Sequence, residues 1–189
     1  MRNSDGRGSD KLNLYAMHFL FFSIIGLIIL PEQIVNAQGS IAVRNDYAPE
    51  IIREQAAYYA EQFGFEDNVY ILITFSHQVP GKVNGFTRYE DARALGGGHQ
   101  VHITINRKAG RSHQLHTLAH EMVHARQFVE GKLVQCSHQH FSWEEKICLD
   151  IRDIDYHARP WEKEAETVGA QLYDCYRKQS LAVVRRNAL

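Results

Sequence analysis

The sequence predicts one globular domain of mixed helix and strand, and three observations carry that expectation. Apolar residues recur at three- and four-residue steps over 48–63. Two short runs, 69–75 and 99–106, are rich in β-branched and aromatic residues. Two longer helical stretches follow, over 112–130 and 160–179. With 44% hydrophobic and 23% charged residues in 189, the composition suits an ordinary globular domain and neither a disordered nor a fibrous chain. If about 150 residues fold together they bury roughly 70% of their unfolded surface, enough for a core without disulfide support.

Taken in order, the chain begins with Arg2, Arg7 and Lys11 ahead of the apolar run 12–30, which contains Phe19-Leu20-Phe21-Phe22 and ends at Pro31. That is the n-region and h-region of a secretory leader, and Val35-Asn36-Ala37 places small or modest residues at a cleavage site, predicting a mature start at Gln38. Residues 1–37 are read as a signal peptide, with a retained membrane anchor through 12–30 as the alternative. On either reading the domain over 38–189 lies outside the cytoplasm, secreted or membrane-anchored.

In 48–63, Ile51, Ile52, Ala56, Tyr59, Ala60 and Phe63 make an amphipathic helix that Gly64 stops. Val69 to Phe75 reads as a buried strand followed by a turn at Pro80-Gly81. In 99–106, Val101, Ile103 and Ile105 alternate with polar residues, predicting a strand with one wet face. The preceding Gly96-Gly97-Gly98 suits either a strand bordering a cleft or a flexible turn. Ser112 is the expected cap of a helix that stops at Gly131, and Pro160 opens the last one. Between them the polar stretch 132–155, with Phe141, Trp143, Ile147 and Leu149, suggests at most a short helix.

Twenty-one basic residues nearly cancel 22 acidic ones and are scattered apart from Arg185-Arg186, which excludes a nucleic-acid footprint. Cys136, Cys148 and Cys175 are too few for a disulfide scaffold. A Cys136–Cys148 bridge and a pair of free thiols both remain open.

His120-Glu121-Met122-Val123-His124 is a His-Glu-x-x-His pattern within a predicted helix. Two histidines four residues apart lie one above the other on one face, so both rings can reach a single Zn2+ at about 2.0 Å. Glu121 is offset around the helix and is free to act as general base toward a zinc-bound water. A catalytic zinc needs a third protein ligand. The position six residues after His124 is Glu130, which rules out the longer zincin pattern with a third histidine there.

The replacement ligand comes from Glu162, Glu164 or Glu166 at the start of the last helix. Trp161, Ala165, Val168, Leu172 and Tyr176 form its apolar stripe, and Glu162 and Glu164 flank that stripe on opposite sides, so periodicity alone does not choose. Glu162 is preferred because Glu166, one turn later on the same side, can hydrogen-bond a ligand histidine and fix its tautomer. The competing reading makes these glutamates a solvated helix start.

With those residues in view, the chain resembles the gluzincin metallopeptidases. They combine His-Glu-x-x-His with a glutamate on a later helix in a Glu-x-x-Ala-Asp or Glu-x-x-x-Asp pattern. Glu162-x-x-Ala165-Glu166 is similar, with glutamate replacing the aspartate. Thr117 to Gln127 and Pro160 to Ala165 also look like small SprT-like or phage-type metallopeptidases. The resemblance covers 98–176 and implies an α+β, compact zincin-like core with a small mixed sheet, a central metal-binding helix and a C-terminal glutamate helix. It also implies an edge strand near 99–106 for an extended substrate.

The function expected is zinc-dependent hydrolysis of peptide bonds in a peptide or protein substrate, more as an endopeptidase than an exopeptidase. The alternative is a noncatalytic, zinc-stabilised envelope or secreted binding protein, which has no need of Glu121. Secondary candidates are His113 and His116 as cleft residues, His138 and His140 with Cys136 as a second metal site, and Tyr156 or His157 as oxyanion donor.

Overall fold

The computed structural model describes residues 35–36, 40–44, 49–65, 68–79, 83–92 and 97–187, all within the unit Gln33–Leu189. The leader read over 1–37 lies outside these residues except for Val35–Asn36, and so does the turn expected at Pro80-Gly81. Among the described residues no helix is long and apolar enough to cross a membrane.

The fold is α+β. Strands β1 (Val35–Asn36), β2 (Ser40–Arg44), β3 (Val69–Ser76), β4 (Gly85–Asp91) and β5 (His99–Asn106) form one sheet in the order β1-β2-β3-β5-β4. The inner strands β2, β3 and β5 run parallel, while β1 and β4 are antiparallel to their neighbours. Register follows side-chain alternation. Val69, Ile71, Ile73 and Phe75 of β3 lie beside His99, Val101, Ile103 and Ile105 of β5, and all eight are buried.

Helices α1 (Glu50–Gln62) and α2 (Arg111–Val129) cover that face. Ile52, Ala56 and Tyr59 from α1, and Leu118, Ala119 and Met122 from α2, join the strands in one core. Tyr176 reaches the same core from α3 (Pro160–Asn187). The opposite face of the sheet is wetter, with Tyr70 and His102 exposed. The strand over 69–75 is thus buried on one side only, not throughout.

Three further expectations change. Ser112 lies inside the first turn of α2, whose N-cap is Gly110 with no side-chain cap bond. α3 continues past 179 to Asn187. Among the described residues the edge strand beside α2 is β4 rather than 99–106, because β5 is flanked by β3 and β4. Gly98 permits a close backbone approach: a Cβ there would fall on the carbonyl oxygen of Asn68, just before β3.

The stretch expected to hold at most a short helix is a three-stranded ribbon, β6 (Leu133–Gln135), β7 (His140–Trp143) and β8 (Leu149–Asp150). Leu133 and Trp143 pack with Phe128 of α2 and Trp161 of α3 into a second small core, and Phe141 lies against it. A disulfide joins Cys136 to Cys148, and Cys175 is free and exposed.

Candidate metal centre

α2 is buried almost all round, and its buried residues include the polar Gln114, Glu121, His124 and Gln127. Buried polar groups persist only when partnered, so each must be accounted for. Gln114 Nε2 donates to the carbonyl oxygens of Asn106 and Arg107 and ties the start of the helix to the end of β5. The other three converge on one place.

His120 and His124, one turn apart on α2, present their Nε2 atoms to each other at 3.1 Å. Glu162, in the first turn of α3, places Oε2 3.2 Å from His120 Nε2 and 3.3 Å from His124 Nε2. These three form the metal-compatible group of His, Cys, Asp and Glu side chains among the described residues. Bonds of about 2.0–2.1 Å to a tetrahedral ion put its ligands about 3.3–3.4 Å apart, so the observed triangle has nearly the required edge on all three sides.

Glu162 Oε2 is buried and has no hydrogen bond of acceptable geometry, although two ring nitrogens stand beside it. A buried carboxylate oxygen left without a hydrogen-bond partner beside two imidazole nitrogens is an arrangement a cation reconciles. The donor set fits a metal ion on this observation. His120 is the most open of the three, with a quarter of its side chain exposed.

α3 can bring Glu162 there because Gly169 lets it lie against the backbone of α2 at His120. Glu164, the competing candidate, faces another way: it accepts from Lys132 Nζ at 2.7 Å, Arg126 at 3.2 Å and Gln127 Nε2 at 2.9 Å. Glu166 is exposed. The acceptor at His124 Nδ1 is Gln127 Oε1, at 2.8 Å. The physical reason is helical phase, since Gln127 lies three residues after His124 on the same helix.

Glu121 is 4% exposed and points toward β4. Thr87 donates to its Oε2 at 2.7 Å. Gly85 leaves room beside its Oε1, where a Cβ would stand 3.1 Å away. Burial pushes the Glu121 carboxyl up, against the pull of His124 and His120. Burial acts the same way on Glu162, but the proximity of His120 and His124, with help from Tyr156, overcomes it and holds that carboxyl well below the usual range. The site therefore holds two carboxylates pushed in opposite directions, one toward permanent charge and one toward proton uptake.

Of the two oxyanion candidates, Tyr156 is the one that reaches the centre. Its hydroxyl interacts with Glu162, and burial followed by that interaction raises its pKa. His157 is exposed and stacks edge-on against the Tyr156 ring. His113 and His116 are also exposed, His116 lying against Tyr173. The second metal site suggested by Cys136, His138 and His140 does not form, because Cys136 is bonded to Cys148 and His140 is taken by Ser137 at 2.8 Å.

The sequence reading missed Thr87, Gly85, Gly169 and Gln127. Only Gln127 carried a readable signal, its spacing from His124. Compared with models of known protein families, with curated proteins and with solved structures, the chain matches none.

Proposed function

We propose that this chain is a zinc-dependent metallopeptidase of gluzincin type, most simply an endopeptidase, with Zn2+ held by His120, His124 and Glu162 and with Glu121 as general base. One observation carries the reading: a near-equilateral triangle of two imidazole nitrogens and one carboxylate oxygen, with a second, buried carboxylate on the residue next to a ligand. Three protein ligands leave a tetrahedral ion one open position, the mark of a catalytic site. Bound there, zinc supplies Lewis-acid polarisation of a carbonyl and acidifies water.

The chain's own residues supply the rest. Thr87 occupies Glu121 Oε2, so Oε1, facing bare Gly85, is the atom that takes the proton. Among the described residues β4 pairs with β5 alone, and its outer edge offers backbone groups to an extended peptide. The Tyr156 hydroxyl, near Glu162 and in a half-open position, donates to the oxyanion as it forms. The leader and the Cys136–Cys148 disulfide together support an oxidising, extracytoplasmic setting.

The test is turnover of a general peptide library by the full chain and its Glu121→Gln variant, with bound zinc measured on both. Zinc retained and cleavage lost by a factor of at least 100 is the expected outcome. Equal cleavage by the two proteins removes Glu121 from the reaction, and zinc binding without any wild-type cleavage favours a noncatalytic binding protein.

A further inference from the structure

The buried side chain of Gln127 has both ends committed. Its Oε1 faces His124 Nδ1 at 2.8 Å, and its Nε2 lies 3.0 Å from the carbonyl oxygen of Trp161 and 2.9 Å from Glu164 Oε2. The two partners of Nε2 settle which end is which. A backbone carbonyl can only accept, and a carboxylate held by Lys132 and Arg126 also accepts, so the amide must turn its NH2 toward α3. Its oxygen is then left for His124, and an oxygen facing Nδ1 requires the proton on Nδ1.

The consequence reaches the metal centre. An imidazole with its proton on Nδ1 keeps the lone pair on Nε2, the atom that points at His120 Nε2 and Glu162 Oε2. A flipped amide would place NH2 against Nδ1, force the proton onto Nε2 and block the ligand position. Trp161 and Glu164 flank Glu162 in the sequence, so the turn of α3 that supplies the third ligand also fixes the tautomer of the second.

We propose that Gln127 is the positioning residue of the metal centre, orientated by Trp161 and Glu164 so that His124 is held as the Nδ1–H tautomer with Nε2 free to bind the ion. This rests on the metal-binding reading above and goes beyond it by assigning the control of ligand geometry to Gln127 and its clamp on α3. It also gives Glu164 a function distinct from ligation.

The experiment measures Zn2+ affinity of the full chain by competition with a chromophoric chelator in wild type and Gln127→Ala. Ring 15N shifts of wild type stripped of metal at mildly alkaline pH accompany it. Loss of a partner to a ligand histidine weakens affinity by about 10- to 100-fold. That loss is expected in Gln127→Ala.

The ring shifts of the wild type are expected to place the His124 proton on Nδ1, and they decide the matter even if Gln127→Ala does not fold. A proton on Nε2, or Gln127→Ala binding Zn2+ within twofold of wild type, overturns the proposal while leaving the metal centre intact. A wild-type chain that binds no Zn2+ overturns the metal-binding reading and this proposal with it.

Discussion

Gly169 is where the geometry makes its sharpest demand on a side chain that is not there. A Cβ at this position would stand 3.1 Å from both the Cα and the N of His120 and 3.3 Å from the carbonyl carbon of Ala119. Non-bonded carbon atoms prefer about 3.5–4.0 Å, so Gly169→Ala requires the two helices to separate by several tenths of an ångström. α2 is poorly placed to yield, since Leu118, Ala119 and Met122 are fully buried in the main core. The retreat falls on α3.

Two effects then oppose each other. Alanine gains about 0.8–1.0 kcal/mol over glycine in a helix interior, whereas overpacking costs typically about 1–3 kcal/mol. Overpacking wins, and Gly169→Ala is expected to destabilise by about 0–2 kcal/mol. Glu162 rides on the same helix, about 10 Å away at 1.5 Å per residue, and a binding constellation must hold to about 0.5 Å. Zn2+ affinity should therefore fall with stability.

Urea unfolding and chelator competition on Gly169→Ala read both quantities. Ala170→Gly is the reference: Ala170 is exposed on the same helix, so this change should cost about 1 kcal/mol of propensity and leave Zn2+ affinity unchanged. If Gly169→Ala stabilises the protein by about 1 kcal/mol and binds Zn2+ as tightly as wild type, the close approach does not set the site.

Three other perturbations follow from particular contacts. Thr87→Val strips the hydrogen bond from buried Glu121 Oε2; it should cost about 1–3 kcal/mol in denaturant unfolding and lower turnover while bound zinc stays the same. Cys136→Ser/Cys148→Ser opens a loop of 12-residue separation and is expected to lower unfolding stability by about 3 kcal/mol on the chain-entropy estimate; an unchanged melting temperature would show that the ribbon does not share in the cooperative unit. Glu144 and Glu145 occupy left-handed conformations at φ 52° and 60° in the turn closing β7. Glu144→Asn/Glu145→Gly should therefore raise stability by about 1–2 kcal/mol, a gain that thermal melts would detect.

What could be read in the sequence was whatever a local period or a metal's spacing rule dictates. β3 and β5 declared themselves through β-branched runs, α1 and α3 through apolar stripes, and His120, Glu121 and His124 through a spacing that serves one ion. β4 left no such mark: Gly-Phe-Thr-Arg-Tyr-Glu-Asp is an edge strand with several polar residues, held by its pairing to β5. The ribbon was missed for a related reason, because its apolar residues belong to a small core shared with Phe128 and Trp161. Glu162 could be preferred over Glu164 but not fixed from the sequence, because what separates the two glutamates is Lys132, in the turn before β6, which captures Glu164.

Whether one ion sits among His120, His124 and Glu162 is read by metal stoichiometry after equilibrium dialysis against Zn2+, on wild type, Glu162→Ala and Glu166→Ala. About one tightly held Zn2+ per chain is expected in wild type and in Glu166→Ala, and its loss in Glu162→Ala. A wild-type chain that emerges without zinc, or a Glu162→Ala chain that keeps it as tightly as wild type, would show that these three residues do not hold an ion.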